Sequence, residues 1–277
     1  MAANEHNQTE FYVGYLPKAP ATYTRLVRLF VVAILVAIPL IAFLLVRFQK
    51  GFATSTYDYA NLTELTGVLI RNPFPALQIN VSDTQGNEIV QTIPLVAFGK
   101  KGAPDELGPQ YDVDAPQKQL SVTGNLIFYD GKTMLELKEW EILSDYSGAP
   151  PDPIVKEKNV SLTGEILDAK CFFGVMKPSH GKPHRSCAAR CISGGIPPLI
   201  AAIDPSGQQH YYLITGPDYN PVNEFLLTSV AQAVTLEGTI LQYQDWEVLQ
   251  LNQESLDQLA SQPIDLATAW SIAICQD

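Results

Sequence analysis

The chain contains no Cys-x2-Cys-His and no Cys-x2-Cys. That excludes covalent haem attachment, and the strand-linked redox pair of a thioredoxin fold is missing too. Basic residues are scarce, with 18 Lys and Arg against 29 Asp and Glu and a formal net charge of −11. An acidic body repels nucleic acid and anionic membrane surfaces, so neither is expected as a partner. Histidine and cysteine number four each, and residues 60–146 hold none of either. Apolar residues are not lacking, at 46%, which argues for folded rather than disordered chain.

What charge there is lies unevenly. Residues 1–50 carry Lys18, Arg25, Arg28, Arg47 and Lys50 against Glu5 and Glu10, a net of +3, which leaves −14 for the remainder. Between the flanking cations, Leu29 to Val46 is an uncharged apolar run. Eighteen residues of helix span roughly 27 Å, about the thickness of a bilayer core. Pro39 in its middle is tolerated better in a membrane helix than in a soluble one. The run is long for a signal peptide, and Arg47 stands where a small-residue cleavage site belongs. A retained transmembrane anchor over 26–47 is expected, after an N-terminal tail at 1–25. Three flanking cations before the run and two after it place the N-terminus in the cytoplasm and the body outside it, periplasmic in a bacterium. Of the four Asn-x-Ser/Thr sequons (Asn7, Asn61, Asn80, Asn159), the first would then lie on the cytoplasmic side.

Behind the anchor the sequence reads as one unit written twice. Leu65-Thr66-Gly67-Val68-Leu69 recurs as Leu162-Thr163-Gly164-Glu165-Ile166. The sixteen residues from Val122 align without gaps on those from Leu236, matching Gly124 to Gly238, Tyr129 to Tyr243 and Leu135 to Leu249. Period-two alternation broken at Asp83–Gly86, Asp130-Gly131 and Asp204–Gly207 predicts short strands joined by turns. Helices are expected at Asn223–Ala233 and Gln253–Ser261. The fold class is therefore mainly β with one N-terminal transmembrane helix, followed by tandem duplicated small β-barrels of the oligonucleotide/oligosaccharide-binding (OB) type. Domain 1 is placed at 60–146, a linker at 147–158 and domain 2 at 159–277. Gly67 and Gly124 are 57 residues apart and Gly164 and Gly238 are 74 apart. The second copy thus carries an insertion, placed at 171–195, and the first reads as a spacer or docking module. Small β-sandwiches give similar strings. Trp140/Leu143 and Trp246/Val248 read as core or repeat interface.

That insertion gathers three cysteines, two histidines and Met176, and Lys170 to Ile203 has five Lys/Arg and no Asp or Glu. Pro183 suits a helix start and Gly194-Gly195 a helix end. On that helix His184, Cys187 and Cys191 share one face, with Cys171 at the end of the preceding strand as a fourth group and His180 as a substitute. Three readings stay open. Cys171, His184, Cys187 and Cys191 form a tetrahedral set for zinc, or with Met176 nearby a soft site for copper. Alternatively Cys171 is bridged to Cys187 or Cys191, pinning the loop at roughly 3 kcal/mol, with Cys275 stapling the tail. Or Cys187, in a first helical turn beside Lys182, Arg185 and Arg190, is a reactive thiolate. Cys187-x3-Cys191 resembles the cysteine pair of Sco-type copper chaperones and of the binuclear copper domain of cytochrome oxidase. The resemblance covers those two residues only, without the trailing His and Met ligands of the latter, so it implies shared chemistry and no family. A Ser179 or Ser186 nucleophile paired with a histidine has no scaffold here, and no catalytic residue is assigned.

The cations Lys170, Lys177, Lys182, Arg185 and Arg190 read as a patch for an anion or for the acidic face of a partner. The function expected is an accessory or assembly subunit of a membrane complex, respiratory or metal-handling, more a holder than an enzyme, with other membrane or extracytoplasmic subunits as partners. The alternatives are a membrane-tethered thiol-disulfide oxidoreductase and a purely structural subunit.

Overall fold

The computed structural model describes residues 21–48, 55–82, 85–112, 115–149, 152–204 and 206–261. Cys275, Asn7 and most of the N-terminal tail lie outside them. The chain divides into two compact units, residues 1–52 and 53–277. In the first, α1 (Ala21–Phe48) is one helix with Pro39 inside it. It is long and apolar enough to cross a membrane.

The second unit is mainly β. Its first half contains β1 (Ser55–Tyr57), β2 (Thr63–Ile70), β3 (Ala76–Ser82), β4 (Glu88–Ala97), β5 (Lys118–Tyr129) and β6 (Lys132–Asp145), with a short helix α2 (Ala103–Leu107) after β4. The sheet order is β1-β5-β2-β3-β4-β6, and β5 pairs with β6 as well, so five strands return on themselves. The second half contains β7 (Ile154–Asp168), the helix α3 (Arg185–Ser193), β8 (Pro198–Ile203), β9 (Gln209–Thr215), a one-turn helix α4 (Asn223–Leu226), β10 (Ala233–Tyr243), β11 (Trp246–Leu251) and α5 (Gln253–Ala260). Strands β10-β11-β9-β8-β7 close into a barrel.

The two halves share a pairing scheme. β2–β3, β3–β4, β2–β5 and β5–β6 are antiparallel and β4–β6 is parallel. In the second half β7–β8, β8–β9, β7–β10 and β10–β11 are antiparallel and β9–β11 is parallel. Glycine permits the tight strand crossings in both. A Cβ on Gly164 would collide with the Ala201 carbonyl oxygen, and one on Gly238 with that of Gln250; Gly67 and Gly124 face the same obstruction from Gln78 and Glu136. The β5–β6 hairpin turns through Asp130 and Gly131, both at positive φ (52° and 73°), the conformation two-residue hairpins favour.

Each half has its own apolar core, around Leu69, Leu95 and Leu135 in the first and Ile200, Leu226 and Leu249 in the second. A third core joins them, drawing Ile70, Phe74, Val96 and Met134 from one half and Phe172, Phe173, Leu213 and Trp246 from the other. Phe173 stacks on Trp246 with ring centroids 5.3 Å apart, and Trp246 Nε1 donates to Thr92 O across the junction at 2.8 Å. Trp246 and Val248 are core, as expected. The helix expected over Asn223–Ala233 is reduced to α4 and a 3-10 turn, Leu227–Ser229. The following residues enter β10, whose pairing with β7 outweighs helix propensity.

The excess length of the second half lies between its first two barrel strands. Residues 71–75 connect β2 to β3, whereas 169–197 connect β7 to β8. That longer connection lies on the junctional core.

Candidate metal centre

β7 ends at Asp168, and the chain turns at once into a π-helical turn, Cys171–Val175. This bend is pinned by the backbone N–H of Cys171, which donates to Asp168 Oδ1 at 2.8 Å. Gly174 leaves the turn at φ 141°, a backbone region open to glycine. A 3-10 turn, Lys182–His184, then leads into α3. Cys187 and Cys191 lie one helical turn apart on α3, so both thiols point back at the start of the connection.

The Sγ atoms of Cys171, Cys187 and Cys191 lie within 4.8 Å of one another. All three are free thiols. The expected bridge from Cys171 to Cys187 or Cys191 is therefore not formed, and no loop closure by disulfide holds this segment. Donor atoms of Asp168, Cys171 and His184 form a second group of the same compactness, sharing only Cys171 with the first. His184 Nε2 lies 2.9 Å from Asp168 Oδ2, both side chains being buried. An ionised carboxylate only accepts, so the ring donates there. His184 thus stands behind Cys171 as a partner of Asp168 and is not a member of the thiol trio. His180 is exposed and belongs to neither group.

The trio is electrostatically unequal. Hydrogen bonds from the Cys171 and Cys191 thiols, with the Lys100 ammonium beside it, outweigh burial and hold Cys187 far below the usual thiol range. Those same contacts, with burial and the Asp168 charge, push Cys171 up. Cys191 gains from its contact with Cys171, but Cys187, burial and Asp168 outweigh this and raise it. Negative charge in the cluster is thus favoured most at Cys187, the sulfur that faces the Lys100 ammonium. Burial draws the His184 imidazolium down, yet the hydrogen bond and charge of Asp168 and the charge of Cys187 leave its pKa raised.

The cation beside Cys187 comes from the other half. Lys100 Nζ is 3.0 Å from Cys187 Sγ and 3.4 Å from Cys187 O. Lys100 lies in the turn after β4, and that turn docks on the end of α3 through Gly102 N donating to Gly194 O at 2.6 Å. A Cβ on Gly194 would strike the Lys100 carbonyl oxygen, and one on Gly102 the Gly195 carbonyl oxygen. Gly194 ends α3, and with Gly102 it lets the two backbones meet. Burial lowers the Lys100 pKa, but the facing sulfurs more than restore it.

A second lysine crosses in the opposite sense. Lys170, expected at a basic surface patch, is only 2% exposed. Its Nζ donates to Ala97 O at 2.9 Å and Gly99 O at 2.8 Å and pairs with Glu136 Oε2 at 2.5 Å. Glu136 is itself buried and also engages Lys138 at 2.8 Å and the Tyr57 hydroxyl at 3.0 Å. Burial and the Glu136 charge push the Tyr57 phenol up to about 12. Lys177 and Lys182 are exposed; Lys177 Nζ lies 6.0 Å from the centre of the Tyr129 ring. Arg185 is half-buried and donates to Thr228 O at 3.2 Å, and Arg190 is half-buried on α3. The five cations do not form one patch.

Two members of the site fall outside the stretch where sequence reasoning placed it. Asp168 sits three residues before Cys171, just upstream of the acid-free stretch. Lys100 lies in Gly99-Lys100-Lys101-Gly102, a glycine-bracketed basic turn that is the one local signal it offers. The donor set suits a thiophilic ion: three convergent sulfurs, a countercharge, and an oriented His–Asp pair behind one ligand. Comparison with protein-family models found no match, and a search of curated proteins found none either.

Proposed function

We propose that this chain is a membrane-anchored metal-holding subunit, serving in the assembly or upkeep of a membrane complex. On this reading α1 is the anchor, the N-terminus is cytoplasmic and the β body lies outside the cytoplasm. The two β halves are copies of one OB-like unit, supported by the shared pairing scheme and the four matching glycines. The second copy carries the ligands on its long first connection; the first supplies the countercharge through Lys100. A bound ion replaces the thiol protons of Cys171 and Cys191 and is shielded by the junctional core. The observation that carries this reading is the convergence of three free thiols within 4.8 Å beside a fixed ammonium.

Metal analysis of the purified full chain, with thiol counting before and after denaturation, tests it. One equivalent of thiophilic metal, lost in Cys187→Ser, together with thiols that titrate only after denaturation, is the expected result. A chain that takes up no metal when supplied, and whose thiols react alike in both states, rejects the proposal. A second reading, thiol-disulfide exchange, has one observation in its favour: Cys187 is a half-buried thiol beside the Lys100 ammonium, with Cys171 within 4.8 Å to resolve a mixed disulfide. Reversible Cys171–Cys187 oxidation that follows a glutathione buffer would favour it.

A further inference from the structure

Resting on the metal-holding reading, we infer that the ion is monovalent copper, Cu(I), and that it enters and leaves through a face formed by Met176 and Cys187.

The donor set argues for three-coordination by sulfur. Zinc in structural sites takes four tetrahedral ligands. Here, among the described residues, the histidine nitrogen near these donors is that of His184, which groups with Cys171 and Asp168 and is hydrogen-bonded to the carboxylate. Lys100 also lies against Cys187, but its ammonium has no lone pair to give. Three sulfurs with no fourth ligand in their group match a soft monovalent ion, and thiolate and thioether ligands suit Cu(I).

Access follows from burial. Cys171 and Cys191 are 3% and 2% exposed, so neither can be reached first. Cys187 is half-buried, and Met176, 43% exposed, lies outside it with Sδ 3.5 Å from Cys187 Sγ. An exposed methionine is ordinarily a poor use of an apolar side chain, but a thioether 3.5 Å from the most accessible ligand sulfur is a first landing point for a soft ion. A Cu(I) held by a donor protein or a small thiol is met by Met176 and Cys187. Bonds to Cys187, Cys191 and Cys171 form as each sulfur that carries a proton releases it to solvent and the donor's ligands depart. Copper arrives reduced and stays so, and no electron moves.

The test uses the full chain in detergent under anaerobic conditions, with Cu(I) and Zn(II) offered separately. One Cu(I) retained through gel filtration, three sulfurs and no nitrogen or oxygen in its X-ray absorption spectrum, and Zn(II) lost on the same column are the expected results. Met176→Leu, a change at an exposed position, should slow release of Cu(I) to a competing chelator while leaving one equivalent bound. Zn(II) retained in stoichiometric amount, or a nitrogen ligand on copper, overturns the assignment of the ion while leaving a metal-holding protein. Unchanged release from Met176→Leu overturns the access face. Failure to bind either ion removes the metal-holding reading itself, a distinct outcome.

Discussion

At the scale of single residues, the site is governed by one contact between a lysine and a sulfur. Charge on Cys187 is favoured by the two neighbouring thiols and the Lys100 ammonium, whereas burial and neighbouring negative charge disfavour it on Cys171 and Cys191. Lys100→Met removes the ammonium from that balance. In the metal-free chain, the pH at which Cys187 becomes reactive to iodoacetamide should then move upward. An unchanged alkylation profile would show that Lys100 does not set the charge of the trio. The histidine serves differently: His184 holds Asp168, and Asp168 holds the backbone of Cys171, so the ring acts on the first thiol through the bend of the chain.

At the scale of elements, everything depends on where the β7–β8 connection is held. Its bend is tied by Asp168 at one end. At the other, the end of α3 touches the β4 turn at Gly194 and Gly102 so closely that neither position has room for a side chain. Gly194→Ala should therefore cost about 1–3 kcal/mol through displacement of backbone, and it should also separate Lys100 from Cys187. Thermal unfolding and the alkylation profile should move together. A destabilised chain with an unaltered Cys187 would mean that the turn and the site are independent. Cysteine and histidine content singled out this connection in the sequence, and the helical spacing of 184, 187 and 191 put Cys187 and Cys191 on one face as found. The expected bridge from Cys171 to Cys187 or Cys191 is not formed: the three sulfurs converge as free thiols, which that spacing does not decide. Of the four-ligand set, the three sulfurs converge, whereas His184 groups with Cys171 and Asp168 and is hydrogen-bonded to that carboxylate.

At the scale of the whole molecule, the two β halves are locked by crossed lysines and a shared aromatic core. The buried Glu136–Lys170 pair lies on this lock. Burial disfavours the Glu136 carboxylate, but Lys138, Lys170 and Tyr57 outweigh it and lower its folded pKa. A lowered folded value means the stabilisation is complete above the unfolded pKa, about 4.3, and drains away as pH falls through the folded value. Denaturant unfolding should therefore show an acid limb below about pH 4.3 that flattens in Glu136→Gln. At neutral pH the same substitution leaves Lys170 without its counter-ion, at a cost of roughly 3–5 kcal/mol. An acid limb of the same steepness in the variant would place the titrating group elsewhere.

Much of this was determined by sequence alone, because it rests on local physics. An uncharged apolar run specifies a helix fit for a bilayer, alternation specifies strands, the glycines of β2, β5, β7 and β10 mark tight crossings, and repeated strings mark repeated pairings. Likewise the clustering of sulfur and imidazole is a property of the chain before it folds. Tertiary structure decided the rest. Lys100 lies 87 residues from Cys187, and Lys170 is 34 residues from Glu136. Neither spacing carries any periodic signal, so only the docking of one half on the other assigns the first lysine to the thiols and removes the second from the surface. That the three thiols meet and stay free is likewise a matter of tertiary placement, which composition and spacing do not encode.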